Sequence, residues 1–174
     1  MAKSSENRLL LITGVMAAGK SSVAQALAER YPRSVHLRGD AFRRFIVNGR
    51  VSMGSSDTDE ALSQLKLRYQ LSVQASLGYF EAGFTVIHQD VILGQLLSDV
   101  VAMYGAAPLQ VFVLCPNPEV VASREIGRAK EAYGAISIDQ LQQGLENTPK
   151  IGHWVDSSEL TVDRTARRIE SLLD

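Results

Sequence analysis

A glycine-rich loop between a short apolar run and a helix-like segment is the feature of this sequence that most restricts its fold. The apolar run is Leu9–Thr13, and the loop "GVMAAGKSS" follows it at Gly14–Ser22. Ser21–Arg30 then places apolar side chains at helical spacing. A strand that passes through a glycine turn directly into a helix is typical of α/β proteins built on a parallel sheet.

The rest of the chain repeats this alternation of strand-like and helix-like segments. The predicted strands are Leu9–Thr13, Val35–Leu37, Phe84–Ile87, Leu109–Leu114 and a short edge strand, His153–Val155. The predicted helices are Ser21–Arg30, Ala41–Asn48, Asp57–Glu81, Gly94–Tyr104, one that begins at Asn117-Pro118, Ser137–Glu146 and Val162–Leu172. We therefore predict an α/β fold, with a five-stranded parallel sheet sandwiched by helices. No linker divides residues 1–174, so we predict a single domain.

The longest predicted helix has a regular apolar face. Within Asp57–Glu81, five residues recur at helical spacing: Leu62, Leu65, Tyr69, Val73 and Leu77. This spacing predicts that they lie along one side of the helix.

Composition and charge exclude several classes of protein. With 18 basic and 19 acidic residues the net charge is −1, which gives no electrostatic footprint for a nucleic-acid duplex or an anionic membrane. Cys115 is the only cysteine, so there is no disulfide framework and no cysteine-based metal site. No stretch approaches membrane-spanning length, and the N-terminal segment lacks the apolar region of a signal peptide. We expect a cytoplasmic location.

The loop after the first strand has the spacing G-x-x-x-x-G-K-[ST], which is that of a phosphate-binding loop. The two glycines could instead form a plain strand-to-helix turn, but the strand before the loop and the helix after it favour phosphate binding. We expect Lys20 to reach the β- and γ-phosphates of a nucleotide and the hydroxyl of Ser21 to ligate Mg²⁺. The predicted nucleotide-binding residues are Gly14, Val15, Met16, Ala17, Ala18, Gly19, Lys20, Ser21 and Ser22.

Two other strands are followed by aspartates, which should lie at the same edge of the sheet as the loop. Asp90 suits a contact with Mg²⁺ or with a water molecule on it, although an aspartate there could simply cap a helix. Asp40 is a candidate for the base that accepts a proton from an attacking hydroxyl, and it could also cap Ala41–Asn48. Arg43 could steady the substrate or the transferring phosphoryl group, whereas Arg44 is interpreted as a surface residue.

Two arginines follow the fourth strand. Arg124 and Arg128 are four residues apart and so share a helix face, where they could close over the phosphates or simply be exposed. The glycines at 127 and 134 favour a mobile lid, at about 124–137.

Three further features carry weaker predictions. We expect residues of Gly49–Ser56, Met53 among them, to line an acceptor pocket within an acceptor region at about 40–60. His88 is interpreted as a packed strand residue and Cys115 as a small core residue.

Four segments together resemble a known family: "GVMAAGKSS", "RGDAFRR", "TVIHQDVILG" and "SREIGRAK". They are similar to the chloramphenicol phosphotransferase-like group of small P-loop kinases, which includes tunicamycin-resistance-type proteins. The resemblance implies a P-loop NTPase fold with a lid after the fourth strand, and ATP and Mg²⁺ as cofactors. It implies transfer of the γ-phosphate to a hydroxyl of a small molecule, an antibiotic or a metabolite. Asp40 would be the catalytic aspartate, and Arg124 and Arg128 the lid arginines.

Other functions remain open from the sequence. "G-D-x-x-R" at Asp40 and Arg43 also resembles adenylylsulfate kinases and polynucleotide kinases, which widens the acceptor class. A polynucleotide end kinase is one alternative, although the near-neutral charge weighs against a nucleic-acid partner. A nucleotide-binding regulatory module without transfer activity is the other.

Overall fold

The computed structural model describes residues 7–54, 58–126 and 138–173, with only the backbone given at 124–126, 138, 139 and 141. The strands are β1 (Leu9–Gly14), β2 (Ser34–Arg38), β3 (Thr85–Gln89), β4 (Leu109–Leu114) and β5 (His153–Val155). The helices are α1 (Lys20–Ala28), α2 (Asp40–Arg44), α3 (Thr58–Glu81), α4 (Gln95–Met103), α5 (Pro118–Ile126), α6 (Ile138–Glu146) and α7 (Val162–Glu170). Within these ranges, no helix has the length and hydropathy needed to cross a membrane.

The five strands form one parallel sheet in the order β2-β3-β1-β4-β5. Every residue of β1 and β3 is buried. Because successive residues of a strand point to opposite faces, this burial shows that helices cover the sheet on both sides. The predicted five-stranded α/β architecture is confirmed. It places the end of β1 at the centre of the sheet, between the ends of β3 and β4.

Helix α2 is shorter than predicted, and its start differs. It ends at Arg44, because Ile46, Val47 and Asn48 have low helix propensity. Asp40 is its first residue and Gly39 is the N-cap, with no side-chain hydrogen bond to the helix end. The prediction that Asp40 caps this helix is therefore wrong, and its carboxylate is left for other partners.

The buried face of α3 is more polar than its apolar spacing indicates. Tyr69 and Val73 are buried as predicted, but Leu62 is 37% exposed. The residues buried instead include Arg68, Ser72 and Ser76. The Ser72 hydroxyl donates to the carbonyl of Arg68, and that of Ser76 to the carbonyl of Ser72 at 2.8 Å. Since each of these hydroxyls donates to a carbonyl of its own helix, its hydrogen-bonding requirement is met although it is buried. Leu65 and Leu77 are partly buried against the core.

Candidate active site

The loop after β1 has the backbone shape of an anion cradle. Gly14 has a φ of 138°, Ala17 of 58° and Gly19 of 90°. A Cβ at Gly14 would come within 2.3 Å of the carbonyl oxygen of Leu114, so the neighbouring strand β4 requires a glycine there. Left-handed residues among right-handed ones turn successive N–H groups toward one centre. The segment Gly14–Gly19 can therefore surround phosphate oxygens, with the positive end of α1 directly behind it.

Lys20 begins α1 and lies over this loop. Its side chain is buried, and its Nζ donates a hydrogen bond of 2.6 Å to the carbonyl of Val15. The ammonium group is thus held beside the cradle, where it adds a positive charge to the aligned N–H groups. Ser21 and Ser22 follow in the first turn, with Ser21 half-buried and Ser22 exposed.

A cleft of about 380 Å³ extends from the loop toward the C-terminal part of the chain. Ala17–Gly19 and Ser22 line one side, and residues from Ser157 to Thr165, in the loop after β5 and the first turn of α7, line the other. Thr161 fixes this second side by accepting a hydrogen bond of 3.2 Å from the backbone N–H of Arg164, as the N-cap of α7. The volume is in the range of small-molecule sites. Sequence reasoning missed this wall of the cleft, for which Thr161 before a helical pattern is the only local signal.

The loops after β2 and β3 meet at the same edge of the sheet. The N–H of Gly39 donates to the carbonyl of Gln89 at 3.0 Å, and a Cβ at Gly39 would lie 2.2 Å from Oδ2 of Asp90. The backbone beside Asp40 therefore rests directly on the Asp90 carboxylate. This contact explains the glycine of "RGD", because any side chain at position 39 would displace that carboxylate.

Asp90 is a buried carboxylate held by two donors. Oδ1 accepts 2.9 Å from the guanidinium of Arg68 and 2.8 Å from the N–H of Val91, whereas Oδ2 has no hydrogen-bond partner among the described residues. Burial raises the pKa of Asp90 to about 6, while Arg68, the Val91 N–H and Lys20 oppose the rise and Asp40 adds to it. Asp90 is not a helix cap, since the N-cap of α4 is Gly94.

Asp40 stands half-buried at the start of α2, among arginines. Its Oδ2 accepts 3.0 Å from Arg44, and its Oδ1 lies 3.7 Å from Nε of Arg38. Arg44 is exposed as predicted, but it pairs with Asp40 rather than with solvent alone. Arg43 is half-buried, and its guanidinium donates 2.6 Å to the hydroxyl of Ser52. Arg43 thereby ties α2 to the following loop.

Arg68 is a residue of this region that sequence reasoning missed. It is only 6% exposed, and besides bonding Asp90 its guanidinium carbon lies 5.2 Å from the centre of the Tyr69 ring. The Tyr69 hydroxyl donates 2.7 Å to the carbonyl of Val91, beside Asp90. Arg68 is seven residues after Ala61 and four before Ser72, and both of these are buried. That spacing is the signal that could have placed Arg68 on the buried face of α3.

A pocket between α2 and α3 occupies the predicted acceptor region. Val51 and Met53 line it, as expected for the segment 49–56 as far as that segment is described; residues 55–57 lie outside the described ranges. The remaining lining residues are Phe42, Arg43, Ile46, Ala61, Gln64, Leu65, Leu67, Arg68 and Leu71. Arg68 thus contacts both this pocket and Asp90.

Comparison with known proteins identifies the family from most of the chain. A family model described as an AAA domain matches residues 9–149. The chain belongs to the AAA domain family. Together with the sheet order and the loop geometry, this membership establishes a P-loop NTPase fold. No curated protein matches the sequence.

Solved structures agree on the fold over nearly the whole length. A sugar kinase from Janibacter sp. HTCC2649 superposes with a TM-score of 0.70 at 18% identity, covering 97% of this chain and 95% of that chain. The adenylylsulfate (APS) kinase of Mycobacterium tuberculosis, in complex with AMPPNP and APS, gives 0.69 at 14% identity, covering 96% and 97%. A tunicamycin resistance protein from Deinococcus radiodurans gives 0.65 at 17% identity, covering 95% and 94%. The last of these fits the group that the motifs resemble.

Two groups near the sheet edge are not suited to catalysis. His88 is fully buried, with Nδ1 2.7 Å from the hydroxyl of Tyr104, and burial lowers its pKa to about 3. It is therefore neutral at physiological pH, which confirms that it is a packed strand residue. Cys115 packs half-buried against the core, and burial raises the pKa of its thiol.

The predicted lid falls largely outside the described residues. Arg124 is part of α5, but its side chain is not described. Arg128 belongs to residues 127–137, which lie outside the described ranges. Their roles over the phosphates stay predictions.

The oxygen atoms that could meet a magnesium ion are those of Ser21 and Asp90. Ser21 offers a hydroxyl in the first turn of α1, and Asp90 keeps Oδ2 without a hydrogen bond. The described residues contain no cluster of three or more histidine, cysteine or acidic side chains. Mg²⁺ binds commonly through one or two protein oxygens together with phosphates and water, so these residues fit an ion that arrives with a nucleotide.

Proposed function

We propose that the chain is an ATP- and Mg²⁺-dependent phosphotransferase that transfers the γ-phosphate to a hydroxyl of a small molecule. One observation carries the proposal: the N–H of Gly39, next to Asp40, donates to the carbonyl of Gln89 at 3.0 Å, and the N–H of Asp90 donates at 3.3 Å to the carbonyl of Ile12, just before the phosphate loop. Donor and acceptor elements therefore converge at one edge of the sheet. The whole chain would act as one kinase domain.

The donor half of the proposed site is the loop with its helix. Backbone N–H groups of Gly14–Gly19 would hold the phosphates, Lys20 would bind their β- and γ-oxygens, and Ser21 would meet Mg²⁺. Held by the Ser21 hydroxyl and the Asp90 carboxylate, magnesium would supply positive charge opposite the phosphates. The ribose and base would extend into the cleft bounded by Ser157–Thr165, because that cleft opens directly from the loop.

The acceptor half is built around Asp40. Its carboxylate would accept the proton of the acceptor hydroxyl while the hydroxyl oxygen forms a bond to the γ-phosphorus. The bond from the γ-phosphorus to the β–γ bridging oxygen would break, and ADP would leave. Arg43, which lines the pocket between α2 and α3 and donates a hydrogen bond to the hydroxyl of Ser52, would turn to the transferring group. Arg124 and Arg128 would close over the phosphates.

The relatives support this reading through their fold. The sugar kinase and the APS kinase are both named as kinases, and the latter was solved in complex with AMPPNP and APS. The family and the converging loops of this chain make phosphotransfer to a small molecule the function that best fits.

The test separates binding of the nucleotide from transfer. Calorimetry would measure Mg·ATP affinity, and release of ADP would be followed with a panel of aminoglycosides, nucleosides, sugars and tunicamycin-like compounds. Lys20→Ala should abolish turnover and weaken binding strongly, whereas Lys66→Ala, an exposed lysine of α3, should match the wild type. Asp40→Asn should keep ATP affinity and lower transfer by orders of magnitude, whereas Asp99→Asn, exposed on α4, should change neither.

Two outcomes would favour the alternatives. Tight Mg·ATP binding without any acceptor-stimulated turnover would indicate a regulatory nucleotide-binding module. Transfer of labelled phosphate to an oligonucleotide end would indicate a polynucleotide kinase. Full activity of Asp40→Asn would remove Asp40 from the role of base.

A further inference from the structure

The pocket between α2 and α3 has apolar walls. Eight of its lining residues are hydrophobic side chains of α2, of the following loop and of α3, among them Phe42, Ile46, Val51, Met53, Leu65 and Leu71. Asp40 and the pocket-lining Arg43 are three residues apart on α2 and so share a face of that helix, which places the pocket next to the proposed base. A molecule with its hydroxyl at Asp40 would present its neighbouring atoms to this surface.

The three polar side chains that line the pocket each make hydrogen bonds within the chain, and the buried atoms among them that make none with a described residue are Nε of Arg43 and Nε of Arg68. Gln64 accepts 2.9 Å from the N–H of Val51 and donates to the carbonyl of Gly49 at 2.8 Å and to Glu60 at 2.7 Å. Arg43 donates to Ser52, and Arg68 donates to Asp90. A polyhydroxylated ligand would lose its hydration here and gain few hydrogen bonds in return, which disfavours it.

The mouth of the pocket is also apolar. Leu67 and Leu71 line it while remaining 46% and 38% exposed, and Met53 is 36% exposed. When an apolar group covers apolar surface that is open to water and continuous with a pocket, the free energy of the system falls. The cavity is narrow, about 50 Å³, so it would take one ring or short chain of a ligand rather than a whole molecule.

We propose that the acceptor carries an apolar ring or short alkyl chain next to its reactive hydroxyl, and that this group binds in the pocket between α2 and α3. The proposal rests on the proposed function, because it assigns the acceptor of that same reaction. It distinguishes an acceptor that is an aromatic or aliphatic alcohol from a sugar or other polyol.

The test measures alcohol binding without relying on turnover. Saturation-transfer NMR in the presence of Mg·ADP would compare 3-phenyl-1-propanol and 1-hexanol with glycerol and D-glucose. We expect the apolar alcohols to bind about tenfold more tightly than the polyols. Ile46→Asn should weaken their binding about tenfold, and the more exposed Met53→Gln should do the same if Ile46→Asn fails to fold. Val47→Asn is the matched control, since Val47 is 88% exposed and does not line the pocket.

The outcomes separate this proposal from the proposed function. Equal or tighter binding of the polyols, or an equal effect of Val47→Asn and Ile46→Asn, would overturn the apolar acceptor. A monomer–dimer shift by Ile46→Asn in analytical ultracentrifugation, without a change in alcohol binding, would assign the pocket to a contact between copies and also overturn it. Saturable alcohol binding sensitive to Ile46→Asn, but with no ADP release from any acceptor, would support the pocket while overturning the kinase function.

Discussion

The guanidinium of Arg68 on α3 donates a hydrogen bond of 2.9 Å to the carboxylate of Asp90 at the end of β3, and both side chains are almost completely buried. Arg68 also lines the pocket between α2 and α3. This ion pair therefore connects the proposed acceptor pocket with the sheet edge that carries the phosphate loop. Removing one partner should therefore lower the free energy of unfolding.

Arg68→Met should lower the free energy of unfolding by about 3 kcal/mol at pH 8, because it leaves the buried Asp90 carboxylate uncompensated. Without Arg68 the pKa of Asp90 rises beyond its present value of about 6, above the ordinary 3.8. A carboxyl group whose pKa is raised on folding stabilises the protein below its unfolded-state pKa. This contribution is lost as the pH rises through the folded-state pKa. The loss measured by urea unfolding should therefore shrink as the pH falls from 8 to 5.

The exposed pair of Arg44 and Asp40 provides the control for this prediction. Arg44→Met should change the free energy of unfolding by less than about 1 kcal/mol, because the Arg44 side chain is 70% exposed. A loss for Arg68→Met no larger than this, or one that grows toward acid pH, would contradict the role given to the buried pair.

Gly39→Ala should lower the free energy of unfolding by about 1–3 kcal/mol, because the added Cβ would lie 2.2 Å from Oδ2 of Asp90. Backbone strain is not the reason, since Gly39 has a φ of −59° that alanine also adopts. Gly78→Ala is the matched control: Gly78 is inside α3 and a Cβ there meets nothing within 4 Å. It should raise the free energy of unfolding by about 1 kcal/mol through helix propensity. Equal effects in urea unfolding would contradict the contact between the two loops.

His88 should make the protein less stable in acid. Burial holds its pKa at about 3 in the folded state, below the ordinary 6.5. Between these values only the unfolded chain binds the proton, so the free energy of unfolding falls as the pH decreases, by about 1 kcal/mol per pH unit. The pKa of Asp90 is raised on folding, so between pH 6 and 3.8 Asp90 makes the free energy of unfolding rise as the pH falls. Asp90 is present in both proteins, so comparing the wild type with His88→Gln removes its contribution.

The measurement is urea unfolding of the wild type and His88→Gln from pH 7.5 to 5. The stability advantage of the wild type should shrink as the pH falls. A difference that stays constant over this range would show that the imidazole is not kept neutral by burial.

Ser22→Trp should reduce Mg·ATP affinity by about tenfold or more, because an indole at this exposed position would fill the cleft beside the loop. Binding of inorganic triphosphate should be retained, since the cradle at Gly14–Gly19 and Lys20 are unchanged. Gln25→Trp, one turn further along the exposed side of α1 and outside the cleft, is the control for both ligands. Equal losses for ATP and triphosphate in calorimetry would mean that the nucleotide does not extend into this cleft.

The sequence predicted the sheet well because its signals are local. Leu9–Thr13 and Leu109–Leu114 are short apolar runs bounded by turns, and β1 and β4 lie there. The carboxyl ends of the second and third strands could be predicted from the same local signals. Asp40 and Asp90 were therefore placed correctly at the edge of the sheet that carries the phosphate loop. Lys20 was located by its spacing from two glycines.

What the sequence did not predict depends on contacts between distant segments. Arg68 was missed because its burial requires Asp90, 22 residues away, as a partner. Leu62 was placed on the buried face of α3 because apolar spacing does not distinguish a core leucine from one at a helix edge. The wall of the cleft at Ser157–Thr165 has no motif, since only tertiary structure brings it to the phosphate loop.

The contact between Gly39 and Asp90 also constrains how this chain can vary. Oδ2 of Asp90 occupies the space that a side chain at position 39 would need, so the two positions are sterically linked although 51 residues separate them in the chain. Among relatives that keep this geometry, a residue larger than glycine at position 39 should appear together with a smaller residue at position 90. The two sites should therefore be inherited as a unit, and a graft of either loop into another member of the family should succeed only when both are exchanged.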